Sequence, residues 1–220
     1  MILIAASGLA REVMVAVRAA GGYDIIGLLD DDVARHGTAV GGAPVLGAIE
    51  VALDHPDASL VVCAGSGVGR ERLVRRLADL GIEDERFSTV VHPSAVLHAD
   101  CELGPGTVLL ANVVLTADVR VGRHVVAMPL VVMTHDDVVD EFATLCAGAV
   151  LGGGVHVGPA AYLGMNCSVR QNLRVGRGAK LGMGSALLRD LPAGATWAGV
   201  PAGPLGVGSH QQMPVDEESG

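Results

Sequence analysis

Hydrophobic and polar positions recur along this chain with a period of six residues. From Ser94 to Arg189 the sequence divides into sixteen hexapeptides without an inserted or deleted residue, and fifteen of them have Leu, Val or Met at the fourth position. The second position is Ala, Cys, Ser, Thr or Val in fourteen of them. This period predicts a parallel β-helix, in which three hexapeptides form one triangular turn and residues eighteen apart stack.

The interior of such a coil is narrow. The fourth-position side chain points inward and fills it, and the second position accepts small or β-branched residues because three faces converge there. Hydrophobic residues make up 50% of the chain and aromatic residues only 2%, which suits a core of stacked aliphatic side chains. The period therefore predicts the fold of nearly half the chain.

Residues 1–90 lack this period and predict a separate domain. Three apolar, strand-like segments (MILIAA, DIIGLLDDD and ASLVVCAGSG) alternate with helix-like ones. Such alternation predicts a small parallel sheet of Rossmann type. We place this domain at 1–90, the β-helix with its C-terminal cap at 91–206, and an acidic, disordered tail at 207–220.

Small and acidic residues follow the predicted strands. Ser7-Gly8, Asp30-Asp31 and Gly65 converge on the carboxyl edge of the sheet, where helix N-termini collect anions and sugars. The first turn is not a dinucleotide fingerprint, because two of the three glycines of GxGxxG are missing. Closing a tight turn explains Ser7-Gly8 as well as binding a ligand does.

Composition excludes several functions. The net charge is −9, and no Lys/Arg cluster is long enough to follow a phosphate backbone, which argues against nucleic-acid binding. Despite a mean hydropathy of +0.46, no apolar run approaches a membrane span, and without a leader-like N-terminus a cytoplasmic location is expected. None of the four cysteines forms a CxxC pair, so neither zinc nor a disulfide is expected. One basic segment is assigned to the solvated face of a helix: Arg70, Arg72, Arg75 and Arg76.

One histidine interrupts the apolar pattern of the coil. His135 lies at a repeat corner and is followed by Asp136 and by Asp137, which replaces a small core residue. Polarity in this coil is costly unless it has a function. A histidine accepts a proton near neutral pH, and a neighbouring carboxylate raises its basicity. Gly153, eighteen residues further, is predicted one coil away, with a backbone N–H that reaches a developing oxyanion.

With these residues the chain resembles bacterial sugar acetyltransferases of the NeuD-like and PglD-like type, which join a Rossmann-like domain to a left-handed β-helix. That family includes sialic-acid O-acetyltransferases and N-acetyltransferases of nucleotide-linked 4-amino-sugars. The resemblance covers residues 1–206 and rests on these motifs: ASG at 6–8, LDD at 29–31, AG at 64–65, HPSA at 92–95, HD at 135–136, LGMN at 163–166 and GVPA at 199–202. It implies a left-handed coil and a homotrimer with each site between two coils.

The resemblance also implies roles for individual residues. His135 would be the general base, Asp136 would enhance its basicity, and Gly153 would donate to the thioester oxyanion. Acetyl-CoA, the co-substrate, would lie along the coil beside Thr144, Gly164, Met165 and Met183. The sugar-nucleotide site would be lined by Ser7, Gly8, Leu9, Asp30, Asp31 and Gly65.

Four positions depart from the family pattern. Leu9 replaces a residue that is often His or another polar type, Met128 replaces a frequent Asn, and Thr144 replaces a cofactor-side His. Gly203 stands where a basic residue is usual. None of these changes touches the His135-Asp136 pair.

Three functions are compatible with the sequence. The first is acetyl-CoA-dependent N-acetylation of a nucleotide-linked amino-sugar in a ternary complex, and the second is O-acetylation of a sugar hydroxyl such as that of sialic acid. The third is a non-catalytic trimeric scaffold or metal-binding coil. His124, His135 and His156 are spaced by 11 and 21 residues and do not stack, which argues against a metal site, and His124 and His156 are predicted on the surface.

Overall fold

The structure, a computed structural model, describes residues 1–205. The acidic segment 207–220, for which the sequence predicts disorder, lies outside these residues. Within 1–205, no helix has both the length and the apolar character needed to cross a membrane.

The N-terminal part is a five-stranded sheet with two long helices. The central strand pairs in parallel with a neighbour on each side, and each of the two long helices begins directly after a strand of this pairing. Short 3-10 turns connect the other strands. The elements are β1 (Ile2–Ile4), α1 (Gly8–Ala20), β2 (Gly27–Leu29), β3 (Ala39–Val40), β4 (Ala43–Gly47), β5 (Leu60–Val62) and α2 (Gly67–Asp79), and the strand order is β3-β4-β2-β1-β5.

Local sequence explains where these helices start. Ser7 caps α1 by accepting the amide of Ala10, and Ser66 caps α2 by accepting the amide of Gly69. Side-chain oxygens at this position satisfy amides that have no partner within the helix. The predicted Rossmann-type alternation is therefore confirmed, with both helix N-termini at the carboxyl edge of the sheet.

Residues 90–205 form the triangular coil that the six-residue period predicts. Each two-residue strand within the repeats covers positions three and four, and partners lie eighteen residues apart, as in Val114 with Val132. The strands are β6 (Val90–Val91), β7 (Val96–Leu97), β8 (Glu102–Leu103), β9 (Val108–Leu109), β10 (Val114–Leu115), β11 (Arg120–Val121), β12 (Val126–Ala127), β13 (Val132–Met133), β14 (Val138–Val139), β15 (Thr144–Leu145), β16 (Val150–Leu151), β17 (His156–Val157), β18 (Tyr162–Leu163), β19 (Ser168–Val169), β20 (Arg174–Val175), β21 (Lys180–Leu181), β22 (Ala186–Leu187), β23 (Thr196–Ala198) and β24 (Gly203–Pro204).

The coil has three faces and three edges. The first face contains β7, β10, β13, β16, β19 and β22, the second β8, β11, β14, β17 and β20, and the third the remaining coil strands. We name the edges by one residue each. The His135 edge joins the first and second faces, the Phe142 edge joins the second and third, and the Met165 edge joins the third and first.

The edges require backbone in the left-handed region. The first residue of many repeats has a positive φ, for example 62° at Asp136 and 54° at Asn166. Asp, Asn and Gly tolerate this conformation better than other residues. Trp197 closes the C-terminal end of the coil, where β23 extends the third face beyond β21.

The outer surfaces of the three faces differ in chemistry. The first face presents four partly or fully exposed valines, Val96, Val114, Val132 and Val150, which we call the valine ladder. The second face presents mainly charged and polar side chains at the same repeat position. The third face is apolar where α1 covers it, and Val108 and Val126 pack there with Leu9 and Val13.

Arg70 corrects one prediction from the sequence. The sequence predicts that it lies on a solvated face of α2, but its side chain is completely buried between α2 and the Phe142 edge. The guanidinium donates to six neutral oxygens at 2.8–3.3 Å: the carbonyls of Ala64, Gly65, His124, Phe142 and Ala143, and the hydroxyl of Thr144. Burial lowers the pKa of Arg70 to about 10, so the group stays charged at neutral pH.

His124 corrects a second prediction. The sequence predicts a surface position, but His124 is fully buried, stacked on Phe142 at 5.3 Å and edge-on to Phe87 at 4.7 Å between ring centroids. Burial lowers the pKa of His124 to about 4, so the ring is neutral and serves as an aromatic packing group. The same contact that buries Arg70 therefore also buries His124.

Candidate active site at the coil edge

His135 and Asp136 form an exposed hydrogen-bonded pair on the His135 edge. His135 Nδ1 lies 2.7 Å from Asp136 Oδ2, and the two side chains are 69% and 66% exposed. A carboxylate acceptor assigns the proton of the neutral ring to Nδ1. The lone pair of Nε2 is then available to accept a proton from a ligand.

Gly153 lies against the side of the ring that carries Nε2. A Cβ added at Gly153 would collide with Nε2, Cε1 and Cδ2 of His135, so only glycine permits the ring to rest there. The amide of Gly153 makes no hydrogen bond within residues 1–205. A proton acceptor and an available N–H donor are thus adjacent on one exposed edge, as a general base and an oxyanion donor must be.

The predicted cofactor residues are only partly brought together. Met165 and Met183 stack on the Met165 edge and are 47% and 70% exposed. Gly164 lies beside them, and a Cβ there would come within 2.6 Å of the Met183 amide nitrogen, so it permits close contact between coils. Thr144 does not join this group, which corrects its assignment. Its side chain is buried, and its hydroxyl accepts from Arg70 and faces the Gly65 carbonyl.

Two of the six predicted substrate residues line a cleft of about 550 Å³ beside the N-terminus of α1. Ser7 and Gly8 line it, and a Cβ added at Gly8 would meet open space. Leu9 does not line it, because its side chain is 6% exposed and belongs to the core beneath α1. A hydrophobic residue at this position is therefore explained by packing.

The two acidic residues have partners within the protein. The carboxylate of Asp30 accepts hydrogen bonds from the backbone amides of Ala6 and Asp32 at 2.7 and 2.9 Å. These bonds connect the turn between β1 and α1 to the C-terminal end of β2. Asp31 pairs with Arg76 and does not line the cleft. Gly65 lies at the N-terminus of α2, where its carbonyl accepts from Arg70.

Two arginines at this cleft were missed in the sequence. Arg11 and Arg35 line it, and Arg35 donates to the Ala6 carbonyl. Arg11 occupies the first turn of α1, three residues after Gly8, so its position could have been read from the helix pattern. Arg35 comes from a connection after β2, and the pattern holds no signal that would place it here.

Three groups of candidate residues therefore lie on separate parts of one chain. His135, Asp136 and Gly153 share the His135 edge, Met165 and Met183 share the Met165 edge, and Ser7 and Gly8 belong to the cleft. Within residues 1–205, no cluster of three or more His, Cys, Asp or Glu side chains could hold a metal ion.

An α/β sheet followed by a hexapeptide coil with a His–Asp pair on its edge defines a hexapeptide-repeat acyltransferase. Residues 1–77 match the family described as PglD N-terminal domain. The structure is similar to PerB from Caulobacter crescentus in complex with CoA and GDP-perosamine, at 30% identity and a TM-score of 0.85, covering 93% of this chain and 96% of that one. The chain therefore belongs to the hexapeptide-repeat sugar acetyltransferases with a left-handed β-helix.

Two further structures support this assignment. The acetyltransferase domain of PglB from Neisseria gonorrhoeae, in complex with acetyl coenzyme A, is 29% identical with a TM-score of 0.84, covering 93% of this chain and 98% of that one. WeeI from Acinetobacter baumannii is 28% identical with a TM-score of 0.81 over the same shares. A sequence search among curated proteins found no match. The sequence-based resemblance is confirmed, and this protein is an acyltransferase.

Proposed function

We propose that this protein transfers the acetyl group of acetyl-CoA to the amine of a nucleotide-linked amino-sugar. The observation that carries the proposal is the free Nε2 of His135 resting on Gly153, with Asp136 on the opposite ring nitrogen. The complexes of PerB with CoA and GDP-perosamine and of PglB with acetyl coenzyme A support the donor and the acceptor class.

The reaction begins with a neutral amine adding to the thioester carbonyl. As the C–N bond forms, the carbonyl oxygen becomes an oxyanion that accepts a hydrogen bond from the Gly153 N–H. Nε2 of His135 takes the proton from the amine. The tetrahedral species then collapses, the C–S bond breaks, and the proton on His135 goes to the departing CoA sulfur. Asp136 stabilises the imidazolium between these steps by accepting from Nδ1–H.

The cleft beside α1 suits the diphosphate of the acceptor. The backbone amides at the N-terminus of α1 carry partial positive charge, and Arg11 and Arg35 add two cations to the lining of the cleft. The anionic nucleotide then lies at the sheet edge, while the uncharged methionine edge suits the apolar part of CoA. Acetyl-CoA is a co-substrate in this scheme, and Met165 and Met183 are its proposed contacts.

A thiol-release assay tests the proposed function. We expect acetyl-CoA to release CoA with a UDP-, dTDP- or GDP-linked 4-amino-sugar, but not with free sialic acid or without acceptor. The product should survive mild alkali, because amides resist conditions that cleave esters. CoA release with sialic acid alone would instead establish O-acetylation. If no acceptor in the panel led to CoA release, the proposed acceptor class would be wrong.

We further propose that the active site is shared between copies in a trimer. Among residues 1–205 nothing covers the apolar valine ladder, and three copies that turn it toward a three-fold axis would bury it. In that arrangement the His135 edge of one copy adjoins the Met165 edge of the next. The general base and the cofactor groove, which one chain keeps on different edges, are thereby brought together.

Mixing two inactive variants tests the shared site. His135→Ala removes the base, and Met183→Glu places a carboxylate at the proposed CoA contact on the Met165 edge, where the side chain is 70% exposed and its replacement costs little packing. Mixed trimers formed by co-expression are expected to recover about a quarter of wild-type activity, since random assembly pairs intact halves in that share of sites. Equal mixtures of the separately assembled variants are the control and should stay inactive. No recovery in the co-expressed sample would show that each site belongs to one chain.

A further inference from the structure

The backbone ladder of the coil is interrupted at the His135 edge. From His98 to Arg170, all fifth-position amides except that of Thr134 donate to the fourth-position carbonyl seventeen residues ahead, as Thr116 does to Met133 at 3.1 Å. The amide of Thr134 instead donates to Asp137 Oδ2 at 2.8 Å. The Thr134 hydroxyl takes over the ladder bond to the Leu151 carbonyl at 3.0 Å. Side chains therefore replace the backbone contact between these two coils.

The second oxygen of Asp137 reaches the next coil. Asp137 is completely buried, and its Oδ1 accepts the amide of Val155 at 2.8 Å. In neighbouring repeats the equivalent amide closes a turn within its own coil, as Ala161 does to the Gly158 carbonyl at 3.2 Å. One carboxylate thus joins the turn that contains His135 to the turn that contains Gly153.

This arrangement is not explained by stability. The second repeat position is elsewhere filled by a small or apolar residue. Burial raises the pKa of the Asp137 carboxyl to about 6, although its two hydrogen bonds from backbone amides favour the anion. A buried carboxylate held only by amides costs more than the apolar residue that other repeats use. The benefit therefore lies in the two turns that Asp137 connects.

We propose that Asp137 is a positioning residue that sets the spacing between the His135 ring and the Gly153 amide. This inference rests on the proposed function, since it needs His135 and Gly153 to act on the same reacting centre. Asp137 does not contact the ligand itself. One carboxylate oxygen accepts a hydrogen bond from the Thr134 amide in the His135 turn, and the other accepts one from the Val155 amide beside Gly153. The two turns are thereby held at a fixed separation.

Replacing Asp137 with alanine separates positioning from folding. Alanine is common at this repeat position, so the variant can restore the regular bond from the Thr134 amide to the Leu151 carbonyl. We expect it to fold with undiminished resistance to unfolding, while kcat falls by about 10- to 100-fold because a shift near 1 Å misaligns base and oxyanion donor. The KM values for acetyl-CoA and for the amino-sugar nucleotide should stay within about two-fold, because neither cleft is altered.

Two further variants sharpen the test. Asp137→Asn keeps one acceptor oxygen for one of the two amides, so its kcat should lie between wild type and Asp137→Ala. Thr107→Ala is the matched control, because Thr107 is also a buried polar residue at the second position. Its hydroxyl donates to the Gly122 carbonyl at 2.7 Å, and this bond lies on a different edge of the coil from His135. Its kcat should equal that of wild type. An unchanged kcat in Asp137→Ala, or an equal loss in Thr107→Ala, overturns the proposal.

A structural readout keeps this inference distinct from the proposed function. A crystal structure of Asp137→Ala should show the Thr134 amide bonded to Leu151 and the His135 ring displaced from Gly153. If the wild-type protein acetylates no amino-sugar, the proposed function fails, but this displacement still measures what Asp137 positions. A ring that stays on Gly153 in the variant would refute the positioning role whatever the substrate is.

Discussion

Replacing His135 with alanine is expected to lower kcat by about 10²- to 10⁴-fold, the usual contribution of a general base. The amine must lose a proton as it adds to the thioester, and the three nearest atoms that a Cβ at Gly153 would meet all belong to the His135 ring. The ring is largely exposed and makes no packing contact that the fold requires. The free energy of unfolding should therefore change little, and steady-state kinetics with both substrates saturating measure the effect.

The chain offers a matched control for this variant. His98 lies toward the same edge in an earlier coil, is 66% exposed, and bonds through Nδ1 to Asp100 at 2.9 Å. It is thus a second exposed His–Asp pair, but a threonine rather than a glycine stacks in the next coil. His98→Ala should keep wild-type activity. If it lost as much activity as His135→Ala, or if His135→Ala stayed fully active, the general-base assignment would be wrong.

Replacing Arg70 with methionine is expected to reduce the free energy of unfolding by about 3–5 kcal/mol, because each buried acceptor that loses its donor costs about 1–3 kcal/mol, partly offset by no longer burying a charge. Methionine fills much of the volume but removes the Arg70 donor from six oxygens, four of them in buried hydrogen bonds. These oxygens belong to both domains, so the contact between α2 and the Phe142 edge should weaken first. Chemical denaturation at a fixed protein concentration measures the loss.

Arg72→Met on the exposed side of the same helix is the control for Arg70. It removes an identical charge from solvent, where the expected change in unfolding free energy is below about 0.5 kcal/mol. Because Arg70 also holds the Gly65 carbonyl, its replacement should raise the KM for the sugar nucleotide if that turn contacts it. Equal stability of the two methionine variants would contradict the clamp role of Arg70.

Periodicity explains why so much of the coil could be predicted. Every repeat meets the same neighbours eighteen residues away, so one local rule determines register, face and edge from residue 94 onward. His135 and Gly153 were placed against one another by this rule alone. Asp137 was recognised as an exception to it, but the bonds that make it bridge two turns became visible only in three dimensions.

Errors concentrated where one domain covers the other. Arg70 and His124 have the sequence character of surface residues, and Thr144 occupies an outward repeat position, yet all three are buried at the same contact. Leu9 was misassigned for a related reason, because α1 directs it into the core against the third face. Local pattern carries no information about which outward position a distant segment will cover.

The sequence by itself determined the repeat, the Rossmann-type alternation and the His–Asp pair, because each depends on residues at short or regular separations. The tertiary structure alone decided how the domains are joined, which polar groups are buried between them, and that the His135 edge, the Met165 edge and the cleft lie apart on one chain. Those features depend on contacts across 50 or more residues, as between Arg70 and His124, which are 54 apart. Burial at such separations follows from packing of whole domains, and no local period encodes it.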